Sequence, residues 1–206
     1  MKIGVIDYGM GNLFSVEQAL KLLNCEPIIS SNIEELNSCD ALILPGVGAF
    51  PDAMKRLAET ELDTFIKSQT KPLLGICLGM QLMFEKSDEV ELTEGLGIFK
   101  GRVKRFEGVP RIPHMGWNNL QFSQFPEWLK ETKLPDDRFV YFVHSYYATE
   151  LANKELVAYA DYEGVKVPGV VKNGSFTGMQ FHPEKSGAFG VFLLNQWLKG
   201  LERNEC

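Results

Sequence analysis

The run "LLGICLGMQLMF" at residues 73–84 decides how this chain folds, because an apolar, strand-like stretch ends in a cysteine held between two glycines, Gly75 and Gly79. Residues 72–76 read as a buried strand and residues 79–87 as a helix, so Cys77 stands at a sharp strand-to-helix turn. In an open α/β sheet such turns lie at the carboxyl edge of the strands, where ligands bind. G-x-C-x-G has the form of a nucleophile elbow: small neighbours relieve crowding while the side chain between them is thrust clear of the sheet. A thiol there faces the positive end of the helix dipole, which favours the thiolate. The Leu78 N–H at the helix start is free to point at a carbonyl oxygen under attack. The same pattern also fits a cysteine that merely packs, and only a base separates the two readings.

Upstream, "KIGVID" (2–7), "PIIS" (27–30) and "ALILP" (41–45) read as strands. Between them Leu13, Val16, Leu20 and Leu23 recur at helical spacing, and a further helical stretch runs over about 51–68. Strands alternating with helices imply right-handed βαβ units and a parallel sheet. From Gly95 onward the character changes to strand-like runs joined by turn residues: "GIFKGRVKRF", "GWNNLQF", "RFVYFVHSYYAT", "LVAYADY", "PGVVKN" and "SFTGMQF". "GAFGVFLLNQWLKGL" (187–201) closes the chain as a helix. The expected fold is α/β: a three-layer open mixed sheet, parallel in its first half and antiparallel in its second, with helices on both faces. Neither a repeat nor a linker interrupts residues 1–206, which are expected to form a single domain.

The net charge of -6 leaves no basic footprint, so neither nucleic acid nor an anionic membrane is an expected partner. "MKIGVIDYGMGN" has too short an apolar run for a signal sequence or a span, and a cytoplasmic location is expected. Cys25, Cys39, Cys77 and Cys206 show no C-x-x-C pair and no metal-ligand spacing, so neither a disulfide scaffold nor a metal or cofactor is expected. Cys25 and Cys39 read as small buried hydrophobes, and Cys206 as a frayed terminal residue. A dinucleotide fingerprint after the first strand fails, since Phe14 occupies the third glycine position.

Three histidines are candidates for the base. His114 and His144 have no carboxylate nearby along their strands, whereas His182 in "QFHPEKS" has Glu184 two residues on. In an extended segment i and i+2 share a face. Pro183 is expected to hold that segment extended and to exclude a helix. Glu184 then fixes the imidazole tautomer and stabilises its protonated form, giving a Cys77–His182–Glu184 triad.

The motifs "IDYGMGNL" (6–13), "PGVGAFPDAM" (45–54), "GICLGMQLMFE" (75–85), "IPHMGWN" (112–118), "YFVHSYY" (141–147) and "GMQFHPEKS" (178–186), in this order, resemble class I (triad-type) glutamine amidotransferases over essentially the whole chain. Within that family the openings "DYGMGN" and "PHMGWN" resemble the glutaminases of histidine biosynthesis. The resemblance implies that Cys77 attacks the side-chain amide of glutamine and that His182 protonates the departing ammonia. It implies an oxyanion hole from Leu78 and the "PGVG" loop at Val47 and Gly48, and glutamine contacts from Gly46, Gln81, His144, Ser145 and Tyr146. It also implies a separate (β/α)8 cyclase subunit as heterodimer partner, since such a barrel needs about 250 residues. Met10, Asn12, Trp117 and Lys185 are expected at or near that docking face. Two other readings stay open: a glutaminase serving a paralogous amination in surface-sugar synthesis, and a catalytically silent scaffold for the cyclase.

Overall fold

The computed structural model describes residues 1–203; Cys206 lies outside the described residues. Eight strands form the central sheet in the order Glu26–Ser30, Lys2–Ile6, Ala41–Gly46, Leu73–Cys77, Phe176–Met179, Val165–Asn173, Leu156–Tyr162 and Gln121–Phe122. The first five run parallel and the remainder antiparallel; four of the five parallel strands come from the first half of the chain, as the sequence implies. Phe176–Met179, near the end of the chain, returns to lie parallel beside Leu73–Cys77.

Period-two alternation sends side chains of the central strands to both faces. Ile3, Val5, Ile43, Leu74 and Ile76 pack with the helices Leu13–Leu22 and Gly187–Glu202 through Val16, Leu20, Leu193 and Trp197. Leu42, Leu44 and Leu73 pack on the opposite side with the helices Ile33–Asn37, Phe50–Glu59 and Leu62–Lys67. Both layers are apolar, which is why these strands read as continuous hydrophobic runs.

Four local expectations change. The helical stretch at 51–68 is two helices, broken where Glu61 adopts a left-handed φ of 58°. The helix after Cys77 lasts only from Leu78 to Leu82, and Phe84–Ser87 is a strand paired with Phe99–Arg105. The run 138–149 divides at Ser145: Phe139–His144 pairs with His114–Asn119 in a two-stranded ribbon, while Tyr146–Thr149 joins Phe99–Arg105 in a separate four-stranded sheet. Pro183–Lys185, expected to be extended, forms one 3-10 turn. Proline suits the first position of such a turn, where its missing N–H has no partner to lose. The basic side chains Arg102 and Lys104 pair with Asp88 and Glu150 at the surface.

Candidate active site

Three parallel strands bring the site together. Gly46 stands opposite Cys77 and Ile76 opposite Met179, so the loops that leave Ala41–Gly46, Leu73–Cys77 and Phe176–Met179 emerge side by side at the carboxyl edge. Cys77 is the last strand residue and has φ 53° and ψ −111°, a conformation that a non-glycine residue holds only when its surroundings force it. The surroundings do so. A Cβ on Gly75 would lie 2.8 Å from the Gly79 oxygen and from Met80 Cα, and one on Gly79 would overlap the Leu44 carbonyl. The short helix is therefore pressed onto the sheet through its glycines, and the elbow expected from the sequence is present.

His182 is 2% exposed and its Nδ1 lies 2.8 Å from Glu184 Oε1, a contact made across the 3-10 turn. The imidazole lines the same cleft as Cys77, within reach of the sulfur's charge. Burial pulls its pKa down, but the hydrogen bonds and negative charges of Cys77 and Glu184 outweigh burial and raise it to about 10. The His182 loop is pinned by Ser186, whose hydroxyl donates to the His182 carbonyl at 2.6 Å and accepts from the Tyr141 N–H at 2.9 Å. Burial and the Cys77 charge push the Tyr8 hydroxyl well above its ordinary range, and it donates to the Pro45 carbonyl.

A cleft of about 410 Å³ opens over Cys77 and is lined by Val47, Gly48, Leu78, Gln81, Glu89, Pro113, Val143, His144, Ser145, Tyr146 and His182. It gathers Cys77 and His182 with most of the expected oxyanion and substrate residues, while Glu184 stands behind His182. Gly46 is not among the lining residues: it is buried beneath the elbow, where a Cβ would lie 2.7 Å from the Tyr8 hydroxyl and 2.8 Å from the Gly79 nitrogen, so its lack of a side chain makes room for packing. Gln81 faces the cleft, but its Nε2 is spent on the Tyr146 carbonyl (2.8 Å) and Gln180 Oε1 (3.0 Å), which leaves its oxygen to a ligand. His144 is likewise engaged through both ring nitrogens, with the Tyr146 carbonyl at 2.8 Å and His114 at 3.1 Å.

Sequence reasoning missed Glu89, the one carboxylate among the described lining residues of the cleft. Glu89 accepts from the Phe50 N–H at 2.9 Å, at the start of a helix whose own cap residue, Ala49, offers no side-chain acceptor. Burial raises its pKa. No spacing in the sequence ties residue 89 to residue 50. Of the expected docking residues, Trp117 is 56% exposed and Lys185 is exposed, while Asn12 caps the helix Leu13–Leu22 through the Ser15 N–H. Met10 packs toward the Val47–Gly48 loop, its Cε 2.7 Å from where a Cβ on Gly48 would be. Cys25 and Cys39 carry thiols whose pKa burial raises. Among the described residues no cluster could hold a metal ion, and no helix is long and apolar enough to cross a membrane.

Residues 4–199 match the family model of glutamine amidotransferase class-I. The chain is 50% identical over 205 residues to imidazole glycerol phosphate synthase subunit HisH of Geobacillus thermodenitrificans, covering 95% of this chain and 94% of that one. It is 46% identical over 198 residues to the subunit of the same name from Oceanobacillus iheyensis, covering 95% and 97%. Among solved structures, a glutamine amidotransferase superposes with a TM-score of 0.73 at 20% identity over 96% of this chain and 98% of that one. PurLQS from Thermotoga maritima gives 0.73 at 18% over 97% and 98%, a likeness of fold.

Proposed function

The chain belongs to the class-I glutamine amidotransferase family, and from that premise we propose how its cleft works. The protein hydrolyses glutamine to glutamate and ammonia and supplies the ammonia to a cyclase of histidine biosynthesis. The reading rests above all on one observation: a cysteine in a forced left-handed turn faces an imidazole whose other nitrogen is locked by a buried carboxylate.

In this mechanism the Cys77 sulfur, paired with protonated His182, attacks the side-chain amide carbon of glutamine. The carbonyl π electrons move to oxygen, and the Leu78 N–H with an N–H of the Val47–Gly48 loop receives the oxyanion; one such donor is worth about 10²–10³ in rate. His182 gives its proton to the departing nitrogen, the C–N bond breaks, and ammonia leaves a glutamyl thioester. Neutral His182 then takes a proton from water, whose oxygen attacks the thioester; collapse of the second oxyanion releases glutamate and returns the sulfur to its pair with His182. Glu184 holds the imidazole tautomer throughout. Glu89 is placed to receive the α-ammonium of glutamine, and the free oxygen of Gln81 serves as a further acceptor. Ser145 and Tyr146 complete the wall.

Ammonia in water is mostly protonated and unreactive, so delivery to a docked (β/α)8 cyclase, as a cytoplasmic heterodimer, fits the chemistry. Met115, Trp117 and Phe139 are exposed on the two-stranded ribbon, and Gly187 packs beside the Trp117 ring next to the Lys185 turn. That apolar face bordered by a cation suits a partner surface. This chain's step is hydrolytic; ring formation belongs to the partner. The test is glutamate release from glutamine with and without the cyclase. Wild type should release glutamate and ammonia in equal amounts and Cys77→Ala neither; release by Cys77→Ala, or none by the wild-type complex, would refute the reading.

A further inference from the structure

Gln180 is fully buried, two residues before His182, and stands where Phe176–Met179 runs beside the Cys77 strand. Its backbone is anchored through the Gly169 carbonyl at 2.9 Å. Its side-chain amide lies between Gln81 and the nucleophile: Oε1 is 3.0 Å from Gln81 Nε2 and Nε2 is 3.9 Å from Cys77 Sγ. The two ends of an amide look alike, so its direction must come from its partners. Here a backbone carbonyl supplies it. The Tyr146 oxygen can only accept, so the Gln81 group 2.8 Å away is the NH2. That same NH2 reaches Gln180, which must therefore present its oxygen to Gln81 and its own NH2 to the sulfur.

The far side of the Tyr146 carbonyl fits the same polarity. It accepts from His144 Nδ1 at 2.8 Å, which leaves His144 Nε2 to accept from His114 Nδ1 at 3.1 Å. His114 Nε2 then accepts from Asn118 Nδ2 at 3.5 Å, and that NH2 also donates to the Asp161 carbonyl at 2.7 Å. Main-chain carbonyls of Tyr146 and Asp161 thus leave each side chain of the chain one orientation.

We propose that Gln180 is a thiolate-holding residue of the catalytic centre: its Nε2–H donates to Cys77 Sγ and steadies the anion, while Gln81 fixes the direction of the amide. This deepens the glutaminase reading and rests on Cys77 being its nucleophile. A donor aimed at an anion stabilises the charged form, and such charge-assisted bonds are about twice as strong as neutral ones. The titratable groups around the sulfur are His182 with Glu184 behind it, Tyr8, His144 next to His182, and Glu89 across the cleft. Of these His182 is the group that can donate to the sulfur, so Gln180 would supply a second side-chain donor.

The test is the pH dependence of Cys77 alkylation by iodoacetamide, with adducts mapped by mass, in wild type and Gln180→Met, which keeps the length and loses the donor. The midpoint of the thiolate curve should rise by about one pH unit in Gln180→Met, with alkylation about tenfold slower on the acid limb. In turnover kcat should fall while KM for glutamine holds. Coincident alkylation curves would overturn the proposal. If Gln180→Met does not fold, the side-chain amide resonances of Gln180 in wild type decide: they should move with the Cys77 transition and lose that movement in Cys77→Ala, and amide resonances indifferent to it would overturn the proposal. Label on Cys25 or Cys39 in place of Cys77 would sink the glutaminase reading too, whereas label on Cys77 with unmoved midpoints removes only the role of Gln180.

Discussion

On the wall of the cleft that carries Cys77, position is fixed by apolar packing against glycines, whereas on the wall that carries His182 it is fixed by hydrogen bonds between buried polar groups. Residues 73–77 are buried on both faces, and the turn is forced because Gly75 and Gly79 leave no spare volume. Across the cleft, Glu184 and Ser186 hold His182, His144 is held by the Tyr146 carbonyl and His114, and Gln180 reaches over to Gln81 on the Cys77 helix, all through bonds of 2.6 to 3.1 Å. The packed wall should fail when volume is added, and the polar wall when a partner is removed. The first failure costs geometry; the second changes which protons are held.

The largest effect is expected on the polar wall. Glu184→Gln keeps the shape but lets His182 take the wrong tautomer, and kcat should fall on the order of 10³- to 10⁴-fold with the melting curve little changed. A loss below tenfold would mean that Glu184 does not orient the base. On the packed wall, Gly79→Ala drives a methyl into the Leu44 carbonyl. It should destabilise the fold by about 1–3 kcal/mol in urea titrations and cut turnover of the remaining folded protein by about 10²-fold through displacement of Cys77. Unchanged stability would show that the elbow can relax.

The polar wall also predicts a pH dependence that the packed wall lacks. Burial, joined for His144 by the His114 charge, lowers the pKa values of His114 and His144 to about 4 and about 3. The unfolded chain binds these protons near pH 6.5, so stability is lost as pH falls below about 6.5, by about 1.4 kcal/mol per pH unit for each histidine. Between pH 7 and 5 that is about 2 kcal/mol each. His182 has the opposite sign: its contribution is complete below about 6.5 and is lost as pH rises through about 10. His114→Phe retains the stack between Phe142 and Tyr162 and removes one titrating ring, so its acid slope should be shallower than that of wild type. Equal slopes in urea titrations would contradict this.

The smallest effect on the fold is expected outside both walls. Trp117→Ala removes an exposed ring that meets Tyr141 only edge-on. It should change stability by less than about 0.5 kcal/mol while weakening the cyclase complex about tenfold or more by calorimetric titration. Loss of soluble fold would move Trp117 from docking surface to core.

The packed wall was legible in the sequence and the polar wall only in part. Gly75, Cys77 and Gly79 announce the elbow because the requirement for small residues is local, and His182 with Glu184 is likewise a short-range pair. The parallel order of the first strands follows from their alternation with helices. Gln81 with Gln180, His114 with His144, and Glu89 with the Phe50 N–H are joined over 99, 30 and 39 residues, and no local spacing marks them. Phe84–Ser87 escaped for the same reason: its helical spacing is overridden by pairing with Phe99–Arg105, a partner that only the assembled fold supplies. The turn at Pro183 misled because proline excludes a helix interior yet suits a first turn.

The most direct measurement is covalent labelling of the cyclase complex with an electrophilic analogue of glutamine, followed by mass mapping of the adduct in wild type, Glu184→Gln and Gly79→Ala. The label should fall on Cys77 alone, be blocked by glutamine, and slow markedly in both variants. Label on Cys25 or Cys39 with Cys77 free, or equal rates in all three proteins, would contradict the account.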